Sequence, residues 1–152
     1  MGVESANYMY ALSQDDCDVG KTLEELGAVK QTADSDRFDY WVLKGEQYWI
    51  DFQFGSFSAQ RALSIRVALC NPVDVLIELR NVLEVLSERC AGILLDKQSG
   101  VRHSGWSDTA WENIEAAYAA KQAEFQKYFG PFEAAISGGE VFETLRERRT
   151  KR

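Results

Sequence analysis

Hydrophobic and polar residues alternate along the middle of the chain, as half-buried strands require. Residues 62–69 set Leu63, Ile65, Val67 and Leu69 against smaller or polar neighbours. Aromatic and apolar residues concentrate at 7–12, 37–44 and 47–54, and Gly45-Glu46 fits a tight type II′ turn between the last two. These patterns predict strands at 7–12, 37–44, 47–54 and 62–69, with the 37–54 pair as a hairpin.

Helix signals occupy the remainder of the chain. Asn71 is a good N-cap, Pro72 suits the first helical position, and apolar residues then recur at three- and four-residue intervals to about Cys90. A shorter helix is predicted from Asp18 to Ala28, and a long one from Ser107 or Asp108 to about Phe129. Short strands are predicted at 93–95 and 101–103, and a charged helix after Gly139.

This order of elements predicts an α+β fold: a mostly antiparallel sheet of four to six strands with helices packed on one face. The domain would span residues 1–138, and residues 139–152 would form a charged C-terminal helix or tail. The first residues do not resemble a signal peptide, and no apolar run is long enough for a membrane span. A cytoplasmic protein with no membrane partner is therefore expected.

Pairing across the Gly45-Glu46 turn predicts which side chains share the outer face of the sheet. Tyr40, Trp49 and Asp51 would lie together there, and Arg66 would join them from the neighbouring strand. Aromatic and arginine side chains are typical of protein-binding surfaces. The alternative is that the C-terminal helices fold over this face and make the aromatics part of the core.

The net charge of −7 belongs entirely to residues 1–51, where eleven acids face four bases, because the rest of the chain has thirteen of each. Two acidic groups would together form a negative rim that attracts a basic protein and repels nucleic acid: Asp15, Asp16 and Asp18, and Asp34, Asp36 and Asp39. The alternative is that these acidic residues serve as turns, caps and solubilising groups. We interpret the asymmetry as the sign of a protein partner.

No catalytic, cofactor or metal motif of any specificity occurs. The three cysteines are an odd number with no close pair, which favours a reducing compartment and argues against a disulfide framework. Cys70 or Cys90 could in principle pair with the single histidine, His103, but both end apolar segments where an inert thiol is the commoner outcome. We therefore expect no enzyme, no cofactor and no metal.

One resemblance of type can be drawn. The segment from Gly92 to Gly100, followed by Trp106 and a helix with Trp111, occurs in an acidic α+β chain with aromatic middle strands. The combination resembles the small cytoplasmic immunity proteins that bacteria pair with toxins. The resemblance implies a non-enzymatic protein that docks on a basic toxin or effector domain and blocks its substrate, and it transfers no individual residue.

Two further functions stay open. The chain could bind or convert a small molecule in an aromatic pocket between sheet and helices, built around Tyr8, Trp41, Trp106 and His103. It could also be an adaptor subunit that forms a homodimer through the outer sheet face or an edge strand. For the favoured function, the candidate partner-binding residues are Asp34, Asp36, Asp39, Tyr40, Trp49, Asp51 and Arg66.

Overall fold

The structure is a computed structural model that describes residues 5–14, 17–32, 37–46, 48–69, 71 and 75–129. The strands within these ranges are β1 (Ser5–Leu12), β2 (Val29–Gln31), β3 (Phe38–Lys44), β4 (Trp49–Phe57), β5 (Gln60–Ala68), β6 (Gly92–Asp96) and β7 (Val101–His103). The helices are α1 (Val19–Glu25), α2 (Val75–Arg89) and α3 (Asp108–Phe129). All strand pairs are antiparallel, and the sheet is open with the order β2-β3-β4-β5-β1-β6-β7.

The predicted α+β fold is confirmed, with seven strands rather than four to six. The additional strand is the edge strand β2, whose three residues are all exposed. Such a strand has no buried face and therefore leaves no alternation in the sequence. The predictions for Gly130 onwards, including the charged C-terminal helix or tail at 139–152, lie outside the described residues.

One side of the sheet forms the core with the helices, and we call it the helix face. Ile50, Phe52 and Ile65 lie on this face at no more than 2% exposure, and side chains of all three helices are buried against it. The other residues of this core include Tyr8, Trp41, Leu43, Leu63, Leu79, Leu83, Ile114 and Tyr118. The apolar stripe predicted for α2 packs here, and so does one side of α3.

Polar side chains fix the start of two helices as the sequence predicted. The Asp18 carboxylate accepts the Lys21 backbone N–H at 3.0 Å at the start of α1. The Ser107 hydroxyl accepts the Ala110 N–H at 3.0 Å at the start of α3. Both bonds satisfy donors that the first helical turn leaves open. Residues 72–74 lie outside the described ranges, and Asn71 donates its side-chain N–H to the Ala68 carbonyl at 2.8 Å.

The hairpin between β3 and β4 has a longer loop than predicted. Lys44 pairs with Trp49, so the connection between the strands is longer than Gly45-Glu46 alone. The Gly45 N–H donates to the Tyr48 carbonyl at 2.9 Å, and a Cβ at position 45 would overlap the Tyr48 ring. The pairing of β3 with β4 is therefore shifted by two residues from the predicted register. Because side chains alternate between faces, a shift of two residues leaves each of them on its predicted face.

Cys17 and Cys90 form a disulfide, with their Cα atoms 5.4 Å apart and 73 residues apart in the chain. The argument against a disulfide, and the expectation that Cys90 is an inert thiol, are therefore wrong. The two residues meet because α1 packs against the end of α2, where Arg89 also forms an ion pair with Glu25, the last residue of α1. Distant cysteines give no spacing signal, since their pairing depends on the tertiary fold.

Within the described ranges, no helix combines the length and apolar character that crossing a bilayer requires.

Candidate functional site

The side of the sheet opposite the helix face carries four of the predicted binding residues, and we call it the open face. Tyr40 comes from β3, Trp49 and Asp51 from β4, and Arg66 from β5. Asp51 pairs directly with Arg66 and with Val42, while Tyr40 pairs with Gln53. The structure thus brings Tyr40, Trp49, Asp51 and Arg66 onto one continuous surface, and each is half-buried.

Neighbouring side chains hold the open face in a defined arrangement. The Trp49 indole N–H donates to Asp51 Oδ1 at 3.1 Å, and the Gln53 amide donates to the Tyr40 hydroxyl at 3.2 Å. The Lys44 ammonium lies 4.5 Å from the centroid of the Trp49 ring, a cation–π distance. Ordered aromatic side chains lose little conformational entropy when a partner binds.

Apolar surface extends the open face on both sides of these residues. The rings of Phe38 and Phe57 are 5.0 Å apart. Val29 on β2 and Ile93 on β6, placed on this face by their pairing with Val42 and Ala11, are 63% and 42% exposed. A mixed surface of this kind, with exposed apolar groups around ordered polar ones, is typical of a protein-binding site.

The helices of the described chain leave the open face uncovered. Trp111, Ile114, Tyr118 and Phe125 of α3 are buried in the core on the helix face. The alternative that C-terminal helices cover the outer face is therefore excluded for α3. The segment after Gly139 lies outside the described ranges.

Asp39, the described member of the group Asp34, Asp36 and Asp39, does not join this surface. Asp39 pairs with Phe54 in the register, which places it on the helix face, one residue away from Tyr40 on the opposite side. Its carboxylate forms an ion pair with Lys30 at 3.5 Å, and both side chains are 55% exposed. Asp34 and Asp36 lie outside the described residues.

A groove of about 740 Å³ lies on the helix face beyond the reach of α2 and α3, and we call it the Trp41 groove. Trp41 and Phe54 contribute apolar surface, and α1 forms a wall from Cys17 to Glu24. Lys21, Lys30, Arg61, Asp18, Glu24 and Asp39 supply three positive and three negative side chains. This volume lies in the range of small-ligand sites.

Sequence reasoning missed this groove, although one residue signals it. Gly20 lies inside α1, where glycine is unfavourable. A Cβ at position 20 would lie 3.0 Å from Trp41 Cζ2. Glycine therefore lets α1 approach the edge of the indole ring, and this close approach forms one side of the groove.

The four residues of the predicted aromatic pocket do not meet in one cavity. His103 and Trp106 line a small apolar cavity of about 20 Å³ between sheet and helices, together with Tyr10, Leu83 and Ile114. That volume holds a single water molecule. Trp41 lines the Trp41 groove instead, and Tyr8 is buried in the core and lines neither of these two cavities.

Tyr8 contacts a buried polar cluster at the other end of the core. Burial raises the pKa of Tyr8 well above its ordinary value, and the nearby Asp96 carboxylate raises it further. Asp96 is completely buried, and its Oδ1 accepts the Gln98 backbone N–H at 2.9 Å and the Gln98 amide at 2.7 Å. Tyr8 therefore keeps its proton beside this carboxylate well above neutral pH.

The described ranges contain no group of three or more histidine, cysteine or acidic side chains arranged to hold a metal. Comparison of the chain with protein-family models, with curated proteins and with solved structures finds no match in any of the three. Functional inference for this protein therefore depends on its surfaces.

Proposed function

We propose that this chain is a non-enzymatic protein-binding domain that docks a basic toxin or effector through the open face and inhibits it. The observation that carries the proposal is the set of ordered, half-buried side chains on a sheet face that the described helices leave uncovered. Tyr40 and Trp49 are the aromatic anchors, and Asp51 and Arg66 the charged ones. Interfaces gain most of their binding energy from a few residues of these types.

The charge of the chain selects the kind of partner. A net charge of −7 and a sequence pI of about 4.8 favour association with a basic protein. Toxins that act on nucleic acids or nucleotides carry basic clefts, and an acidic protein seated on such a cleft blocks substrate access. This mechanism agrees with the resemblance to cytoplasmic immunity proteins, and the charges of Asp34 and Asp36 would add to the attraction.

The test is affinity capture from a lysate of the organism that encodes the chain, at low and moderate salt. Trp49→Ala and Arg66→Ala serve as open-face variants. Ile77→Ala is the matched control, because Ile77 is 73% exposed on α2, away from the open face. We expect one stoichiometric basic protein with the parent and the control, and at least about tenfold less with the open-face variants.

The captured protein is then expressed alone and together with this chain. Toxicity alone and normal growth on co-expression with the parent, but not with Trp49→Ala, would support inhibition through the open face. Equal capture by all variants would exclude the open face as the docking site. Recovery of only this chain, with a solution mass that doubles as concentration rises, would replace the proposal by a homodimeric adaptor.

A further inference from the structure

The two cysteines of the disulfide differ in their access to solvent. Cys90 directly follows α2 and is 0% exposed, whereas Cys17 is only partly buried and is one of the residues that line the Trp41 groove. Thiol–disulfide exchange begins when a thiolate reaches one of the two bonded sulfurs. The Cys17 side is therefore the side from which a small reductant can attack while the protein stays folded.

Cys90 is held in place by bonds other than the disulfide. Its backbone N–H donates to the Leu86 carbonyl at 2.7 Å, and its own carbonyl accepts the Tyr10 hydroxyl in a buried hydrogen bond. The next residue, Ala91, accepts the Ser13 backbone N–H at 2.9 Å. The end of α2 is thus fixed to β1 whether or not the disulfide is present.

The α1 side of the bond has weaker support. α1 has seven residues, and a helix of this length has little stability of its own. Val19 and Leu23 are its apolar contributions to the core, and the ion pair between Glu25 and Arg89 is half-exposed. The disulfide is the covalent tie at the start of this helix, so its loss should make local opening of α1 more frequent.

From these observations we infer that the Cys17–Cys90 disulfide is a thiol-exchange site that a small dithiol opens in the folded protein, and that its opening loosens α1. A thiolate of the dithiol attacks Cys17 Sγ, the bond between the two protein sulfurs breaks, and the electron pair passes to Cys90 Sγ, which takes up a proton. The second thiol then displaces the Cys17 thiolate, which is protonated. The protein gains two electrons and two protons, and the dithiol becomes a cyclic disulfide.

This exchange connects the redox state of the bond to the Trp41 groove. α1 forms one wall of the groove, and a Cβ at Gly20 would lie 3.0 Å from Trp41 Cζ2. A looser α1 therefore changes the shape of the groove, while the core between the sheet and the other two helices stays packed. The site does not depend on the proposed protein partner.

The first experiment measures reduction by dithiothreitol in native buffer. It uses the parent and Cys70→Ser, in which no third thiol can take part in exchange. We expect a rate that is proportional to the dithiothreitol concentration and unchanged by urea below the unfolding transition. A rate that rises steeply with urea in this range would mean that the bond is reached only through unfolding, and would overturn the inference.

The second experiment identifies the sulfur that is attacked. Cys70→Ser is treated briefly with reduced glutathione, quenched with acid, alkylated and digested with trypsin. Cys17 and Cys90 fall in different tryptic peptides, 1–21 and 90–97. We expect at least about tenfold more glutathione on Cys17 than on Cys90, because access decides which sulfur reacts. Equal labelling, or a preference for Cys90, would contradict the assignment.

The third experiment compares amide hydrogen exchange in the oxidised and reduced chain by NMR. Reduction should accelerate exchange in α1 (Val19–Glu25) by a factor at least about ten times larger than in β4 (Trp49–Phe57). A crosslink that acts only on the unfolded chain would accelerate both elements by the same factor, and this result would overturn the switch.

Glu25→Gln is the matched control, since it removes the other described tie between α1 and the end of α2. It should change exchange in α1 by less than about fivefold, because the ion pair is half-exposed, and it should leave the rate of reduction unchanged. All three experiments use the chain without a protein partner. Their failure therefore leaves the open-face proposal intact, and failed capture of a protein leaves the thiol-exchange site intact.

Discussion

The two faces of the sheet are built from the same strands, yet they differ in what fills them. On the helix face, Ile50, Phe52 and Ile65 are closed off by three helices, and the charged groove lies where that cover ends. On the open face, Tyr40 and Trp49 are held by polar neighbours and left half-buried. Burial in the core thus accounts for the apolar side chains of the helix face. The aromatic side chains of the open face are held in place although no described helix covers them, which is typical of binding surfaces.

The largest expected effect is the loss of a large side chain from the helix face. Phe52→Ala should lower the free energy of unfolding by about 3–5 kcal/mol, because it opens a cavity in a packed core. Tyr40→Ala removes an aromatic side chain of similar size from the neighbouring strand and should cost only about 1 kcal/mol, since Tyr40 is only partly buried. Urea denaturation of both variants measures the difference. Equal losses would mean that another part of the chain covers the open face.

The second largest effect concerns the disulfide that anchors α1, the wall of the Trp41 groove. Cys17→Ser should lower the free energy of unfolding by about 2–4 kcal/mol, because the unfolded chain loses a crosslink across 73 residues. Thermal denaturation with and without a reducing agent tests this. Cys70→Ser is the control and should leave the effect of the reductant unchanged.

Counting thiols provides the direct check on the disulfide. The parent has three cysteines and should show one reactive thiol per chain before reduction and three after reduction in denaturant. Three thiols before reduction would contradict the pairing. The disulfide also bears on localisation, since such bonds persist in oxidising compartments more readily than in the cytoplasm.

The features that could be predicted from the sequence are those with a local cause. The alternation in β5 and the spacing in α2 reflect burial on one side, so both elements and their inward faces followed from the pattern. The faces of Trp49 and Asp51 also followed, because an error of two positions in the hairpin register does not exchange faces.

The features that could not be predicted depend on contacts between distant segments. β2 has no buried side, the Cys17–Cys90 pair spans the fold, and the Trp41 groove needs α1 to approach β3 at Gly20. Asp39 shows the same limit within the candidate site. Its closeness in sequence to Asp34 and Asp36 suggested a shared acidic rim. Its pairing with Phe54, which the sequence does not reveal, places it on the helix face.

A third effect appears at alkaline pH and comes from the helix face. The pKa of Tyr8 is raised by burial and by Asp96, and burial also raises the pKa of Tyr10. Above about pH 10 the unfolded chain loses these phenolic protons while the folded chain keeps them. The free energy of unfolding should therefore fall by up to about 1.4 kcal/mol per pH unit for each such tyrosine.

Tyr8→Phe isolates the contribution of one residue to this alkaline effect. The variant removes the phenolic proton, so its stability should fall less steeply than that of the parent between pH 10 and 11. Urea denaturation at several pH values gives both slopes. Identical slopes would mean that Tyr8 ionises as easily in the folded chain as in the unfolded one.

Asp39→Asn is expected to have the smallest effect on stability. It also tests most directly whether the two faces act independently. The ion pair with Lys30 is half-exposed, so its loss should change the free energy of unfolding by less than about 1 kcal/mol. Removing the carboxylate frees Lys30 and deletes one negative charge from the Trp41 groove on the helix face. Docking through the open face should keep its dissociation rate, because Asp39 points to the other side of the sheet. A faster dissociation of the captured protein from this variant would show that one partner contacts both faces, and the two surfaces would then have to be treated as a single site.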